Sequence, residues 1–118
     1  MKKLKILFVC SANVDRSPTA MHLYARTPGI ETKSAGISSY ATVPITSELI
    51  KWAELILCME DWQLLYIQRK FNDSLSGKVS GNLDIPDEYP FMHPKLITII
   101  KKRMIPWLRK YDLIKTDV

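Results

Sequence analysis

Leu4-Lys5-Ile6-Leu7-Phe8-Val9-Cys10 is a near-continuous apolar run that breaks off into a turn beginning at Ser11. A strand apolar at almost every position has no face to give to water, so it belongs inside a sheet covered on both sides. Such sheets are parallel, and parallel strands need long crossover connections, usually helices. A second run of the same kind, Leu55-Ile56-Leu57-Cys58-Met59, lies in the middle of the chain.

The intervening segments supply the helices. Ser17 as cap and Pro18 at the first helical position open a helix carrying Ala20, Met21, Leu23 and Tyr24, which Pro28-Gly29 stops. Ile30 to Ala35 reads as a shorter strand, Gly36 to Pro44 as a loop, and Thr46 caps a brief helix containing Leu49, Ile50 and Trp52. Asp61 to Phe71 reads as a helix with Trp62, Leu65 and Tyr66 at helical spacing, and Val79 to Leu83 as a weak fourth strand. After the acidic loop Asp84-Ile85-Pro86-Asp87-Glu88-Tyr89-Pro90, His93-Pro94 leads into a long final helix with Leu96, Ile99, Ile100 and Met104 on one face. Pro106 is expected to kink or bend it. The alternation predicts an α/β fold of three layers: an open four-stranded parallel sheet with helices on both faces, one domain over residues 1–118. Ligands of such sheets bind at the carboxyl ends of the strands, and Cys10 falls at one of them.

Hydrophobic residues at 47% and charged residues at 25% exclude a largely disordered chain. No apolar run approaches the roughly 18 residues of a membrane span. Met1-Lys2-Lys3-Leu4-Lys5 looks like the charged head of a secretory signal, but Ile6 to Cys10 is too short for a signal core, so a cytoplasmic location is expected. Cys10 and Cys58 cannot make a disulfide framework, and no Cys/His spacing suggests a zinc site. The 17 basic and 12 acidic residues give a net charge of +5, which fits an anionic ligand such as phosphate and equally a solvated basic surface.

The chemistry is concentrated in Cys10-Ser11-Ala12-Asn13-Val14-Asp15-Arg16-Ser17-Pro18: a thiol, five residues and an arginine between a buried strand and a helix N-terminus. A loop in that place can turn its N–H groups inward around an oxyanion, reinforced by the helix dipole. Arg16 offers a two-pronged fork to phosphate oxygens. The field that holds a phosphate dianion also favours a thiolate nucleophile, and Ser17 can donate a hydrogen bond to its sulfur. The competing reading makes Cys10 a small core residue and Arg16 a surface charge.

Val9-Cys10-Ser11-Ala12-Asn13-Val14-Asp15-Arg16-Ser17-Pro18-Thr19-Ala20 resembles the nucleophile loop V-C-x-G-N-x-C-R-S-P-x-A of the low-molecular-weight protein tyrosine phosphatases. Ser34-Ala35-Gly36, the strand Trp52-Ala53-Glu54-Leu55-Ile56-Leu57-Cys58-Met59-Glu60, and Ile85-Pro86-Asp87-Glu88-Tyr89 resemble later segments of that family, in its order. The resemblance implies that Cys10 attacks phosphorus to give a phosphocysteine. Residues Ser11, Ala12, Asn13, Val14, Asp15, Arg16 and Ser17 form the phosphate-binding loop, with Asn13 bracing its shape. Asp87 is the implied general acid, with Asp84 the alternative; Tyr89 then falls where the family places an aromatic wall, and Tyr40 is a second candidate for the pocket. Neither metal nor cofactor is implied. The expected substrate is a phosphotyrosine-bearing protein or a small aryl phosphate, with no nucleic-acid or membrane partner.

The chain departs from the family pattern at three places. The loop glycine is Ala12, which is unfavourable if that backbone needs positive φ. The second loop cysteine, which in the family shields the nucleophile, is Asp15, which either pairs with Arg16 or faces solvent. The stretch from Gly36 to Trp52 is short, which leaves the pocket border open. Cys58, in a buried strand, is not expected to be a redox partner for Cys10. These departures keep alive a phosphate-binding or regulatory module with weak or no turnover; a cysteine phosphocarrier of similar fold would lack Arg16 and the late acid. His22 and His93 have no evident partner. Trp52, Trp62 and Trp107 read as packing residues, and Lys101, Lys102, Arg103, Arg109 and Lys110 as a solvated face.

Overall fold

The computed structural model describes residues 3–114. In chain order it comprises β1 (Leu4–Cys10), α1 (Arg16–Tyr24), β2 (Ile30–Gly36), α2 (Ser47–Trp52), β3 (Leu55–Cys58), α3 (Asp61–Lys70), α4 (Asn72–Leu75), β4 (Val79–Asn82) and α5 (Pro94–Lys110). The four strands form one sheet in the order β2-β1-β3-β4, and every neighbouring pair is parallel. Cys10 stands opposite Gly36 of β2, and Val9 opposite Cys58 of β3.

The apolar runs are buried on both faces, as their composition requires. Ile6, Phe8 and Cys10 of β1 with Leu55 and Leu57 of β3 pack under α1 and α5, against Ala20, Tyr24, Leu96, Ile100 and Met104. The alternate residues Leu7, Val9, Ile56 and Cys58 pack on the other face against Ile50 and Ile67 of α2 and α3. From β1 the chain crosses to β2 on one side, then returns to β3 on the other. Their carboxyl ends therefore diverge into a crevice between β1 and β3, where ligands of open α/β sheets bind.

Several boundaries differ from the sequence reading. α1 begins at Arg16, with Asp15 at the N-cap position and Ser17 and Pro18 inside the first turn. Proline is tolerated there because its missing N–H would have had no partner in the helix, and the Ser17 hydroxyl is taken up elsewhere. β2 runs one residue further, to Gly36, while β3 and β4 each end one residue earlier, at Cys58 and Asn82. α3 ends at Lys70 and is followed by the short α4, which carried no clear periodic signal. α5 continues through Pro106 to Lys110 as one element. Its N-cap is His93, whose Nδ1 accepts from the Lys95 N–H at 3.1 Å, giving that histidine a structural task. Among the described residues, no helix is long and apolar enough to cross a membrane.

Candidate active site

The loop joining β1 to α1 is wound around Cys10. Its first three carbonyls are bound by the segment after β2: Ile37 N–H donates to Cys10 O (2.9 Å), Ser38 N–H to Ser11 O (3.0 Å) and Thr42 N–H to Ala12 O (3.2 Å). Carbonyls tied outward leave the amides on the inner side, and the Asn13 N–H points at Cys10 Sγ at 3.3 Å. That is the inward-facing array an oxyanion needs. The segment can lie this close because residue 36 is glycine. A Cβ there would stand 2.6 Å from both Ser11 O and the Ala41 Cβ.

Asn13 braces the turn. It adopts φ 56°, in the left-handed region that asparagine tolerates better than most residues. Its Nδ2 donates to Ser17 Oγ (2.9 Å) and Ser34 Oγ (3.0 Å), and its Oδ1 accepts from the Val43 N–H (3.1 Å). Asn13 is therefore the non-glycine residue of the loop that takes positive φ, so alanine at position 12 meets no such penalty. Ser17 Oγ lies 2.9 Å from Cys10 Sγ and within 3.3 Å of Ala35 O. The hydroxyl owns one proton. When the sulfur is ionised it has none to give, so Ser17 donates to the thiolate while accepting from Asn13.

Arg16 is 2% exposed and lies beneath the loop. Its Nη1 donates to Glu60 Oε2 (2.7 Å) and to Ile85 O (2.9 Å), its Nη2 approaches Ser11 Oγ at 3.5 Å, and its Nε lies 3.7 Å from Asp87 Oδ1. The pair with Glu60 fixes one edge of the planar guanidinium and so aims the remaining donors. Of the two acidic candidates, Asp87 reaches the arginine. Asp84, at φ 55°, turns away and meets Arg103 at 3.9 Å.

Glu60 and Gln63 were not singled out from the sequence. Gln63 is fully buried: its Oε1 accepts from the Met59 and Glu60 amides, and its Nε2 donates to Ser11 Oγ at 3.2 Å. A signal for them existed. Glu60 is the first polar residue past the buried β3, at the carboxyl edge where ligands bind, and Gln63 follows at capping-box spacing.

Ser11, Ala12, Val14 and Asp15 are in the loop, with Val14 55% exposed. The Asp15 carboxylate does not pair with Arg16; it lies partly exposed at the surface, where Oδ1 accepts from the Phe91 N–H at 2.9 Å. Tyr89 stacks on His93 with ring centroids 5.0 Å apart, and Tyr40 is 95% exposed. Cys58 is on the opposite face of the sheet from Cys10. Burial pushes its thiol up to about 12, so at neutral pH it stays protonated and unreactive.

No family model matches the chain, and neither does any curated protein. Solved structures do match it. The tyrosine phosphatase Wzb from Escherichia coli K30, in complex with phosphate, shares 22% identity over 90% of this chain and 96% of its own, with a TM-score of 0.73. The YwlE arginine phosphatase from Geobacillus stearothermophilus shares 24% identity over 98% and 99%, with a TM-score of 0.67. Vibrio vulnificus Wzb in complex with benzylphosphonate shares 21% identity over 92% and 99%, with a TM-score of 0.73. The chain thus has the three-layer α/β fold of the low-molecular-weight tyrosine phosphatases.

Proposed function

We propose that the protein is a phosphomonoester hydrolase of the low-molecular-weight tyrosine phosphatase type, working through a phosphocysteine without a metal. The observation that carries this reading is the placing of Cys10 Sγ: it faces the Asn13 amide and the Ser17 hydroxyl in a loop whose carbonyls are tied outward, above a buried arginine. The fold shared with a tyrosine phosphatase and an arginine phosphatase supports it.

In this mechanism the Cys10 thiolate attacks phosphorus in line, the S–P bond forms and the ester P–O bond breaks. The loop amides and the free donors of Arg16 hold the equatorial oxygens, where charge is densest in the transition state. Asp87 gives its proton to the departing phenolate. It then takes one from the water that attacks the phosphocysteine, so that inorganic phosphate leaves and the thiolate is restored. Apolar Val14, exposed in the loop, favours an aryl group over a short polar one, and the preferred substrate class is an aryl phosphate, phosphotyrosine in a protein included. We assign the whole chain to one such domain, acting in the cytoplasm.

The test is hydrolysis of a chromogenic aryl phosphate with chelator present, by the wild type, Cys10→Ser, Asp84→Ala and Asp87→Ala. Turnover that disappears in Cys10→Ser, falls in Asp87→Ala and survives in Asp84→Ala is the expected pattern. A wild type that binds phosphate yet releases no product between pH 5 and 8 would instead identify a binding module. Parallel assays on phosphotyrosine and phosphoarginine peptides fix the substrate class.

A further inference from the structure

The loop that carries Asp87 is exposed, yet it is fastened to the first turn of α1 at two adjacent amides. Phe91 N–H donates to Asp15 Oδ1 at 2.9 Å, and Met92 N–H to Thr19 Oγ1 at 2.9 Å. Thr19 in turn donates to the backbone carbonyl of Asp15 at 2.6 Å. The Phe91 ring meets His22 of α1 edge to face at 5.3 Å, and Met92 is held at φ 61°. At its other end the loop is rooted by Ile85, whose N–H donates to Met59 O and whose carbonyl receives Arg16 Nη1. Asp87 lies between these anchorages.

Asp15 occupies the N-cap position of α1, where an aspartate would ordinarily accept from an amide of its own helix. Here its side chain makes no such cap and is given to Phe91. A carboxylate in a loop built to hold an anion and a thiolate is electrostatically unfavourable, so its presence calls for a compensating contact, and the Phe91 amide is that contact.

We propose that Asp15 is a positioning residue for proton transfer: its hydrogen bond to the Phe91 amide holds the 85–92 loop so that the Asp87 carboxyl stays beside Arg16 and the leaving-group oxygen. The proposal rests on the reading of Asp87 as general acid given above. A misplacement of about 1 Å in a catalytic group can cost as much as a hundredfold in rate. The loss should fall on substrates that need the proton.

The experiment compares kcat/KM for phenyl phosphate, whose leaving group needs protonation, with that for 2,4-dinitrophenyl phosphate, whose leaving group does not. Asp87→Ala sets the scale, lowering the phenyl-to-dinitrophenyl ratio by roughly a hundredfold if that residue is the acid. Asp15→Ala is expected to lower the same ratio about tenfold. Asp15→Asn, which loses the charge but keeps the acceptor oxygen, should restore the ratio to within about threefold of wild type. Both variants remove the charge, so their difference isolates the hydrogen bond. Thr19→Val removes the neighbouring anchor, should shift the ratio in the same direction, and serves if Asp15→Ala does not fold. The proposal is overturned if Asp87→Ala moves the ratio while Asp15→Ala and Thr19→Val leave it unchanged, or if Asn proves no better than Ala. An Asp87→Ala variant with a wild-type ratio removes the acid reading itself and the proposal with it.

Discussion

At the scale of single residues, the site depends on side chains with few substitutes. Asn13 serves three partners while holding positive φ, a combination only a short amide side chain offers. The two cysteines separate cleanly by environment. Cys10 faces donors at the head of a helix; Cys58 is enclosed in hydrocarbon on the far side of the sheet, its thiol pushed up to about 12. Ionisation of Cys58 becomes appreciable only near that pH, so iodoacetamide at neutral pH should label Cys10 alone in the native protein. Mass spectrometry of the intact chain should show one adduct, rising to two after denaturation. This placement was legible from Leu55 to Met59, since a continuous apolar run leaves no exposed position for a thiol. The role of Asp15 was not, because its partner at Phe91 lies 76 positions away in sequence.

At the scale of elements, the first turn of α1 serves three neighbours at once: Arg16 holds Glu60 and the 85–92 loop, Ser17 the Cys10 sulfur, and Thr19 the amide of Met92. Glu60→Ala removes one of the two acceptors of Nη1 on a buried guanidinium, leaving Ile85 O. Phosphate affinity and kcat/KM should fall roughly tenfold, the loss of one charged hydrogen bond of about 1.5–3 kcal/mol discounted for the partly exposed carboxylate. Inhibition by inorganic phosphate and steady-state kinetics measure both. The contact between the loops can be tested at Gly36, where a methyl group would strike Ser11 O and Ala41. Gly36→Ala should cost about 1–3 kcal/mol of stability by overpacking and displace the carbonyls that shape the Cys10–Arg16 loop. A denaturant titration alongside a turnover assay would show both losses together.

Across the whole molecule, two cores flank one sheet, and the site stands at the edge they share. α5 closes the larger core through Leu96, Ile100, Met104 and Leu108, and Trp107 lies directly on Gly81 of β4, where there is no room for a Cβ. Ile100→Ala should therefore lower unfolding free energy by about 2–5 kcal/mol in a denaturant titration. Its kcat/KM at 25 °C should stay within about threefold of wild type, because distant packing changes add to stability without touching the site.

The sequence by itself determined the class of architecture and pointed to the loop from Cys10 to Arg16 as the candidate site. Two strands without a polar face can only be interior to a parallel sheet, and a thiol and an arginine spaced around a turn at such a strand's end lie at its ligand-binding edge. Those signals are local: burial pattern, cap and turn residues act within a few positions. The tertiary structure alone decided which distant groups complete the site. It set Asp87 beside Arg16 and Asp84 beside Arg103, brought Glu60 to Arg16 and Gln63 to Ser11, set positive φ at Asn13 instead of Ala12, and turned Asp15 toward Phe91. Each of these depends on where one loop lands relative to another. That is set by the packing of α1, α5 and the sheet together, and no periodicity in the chain encodes it.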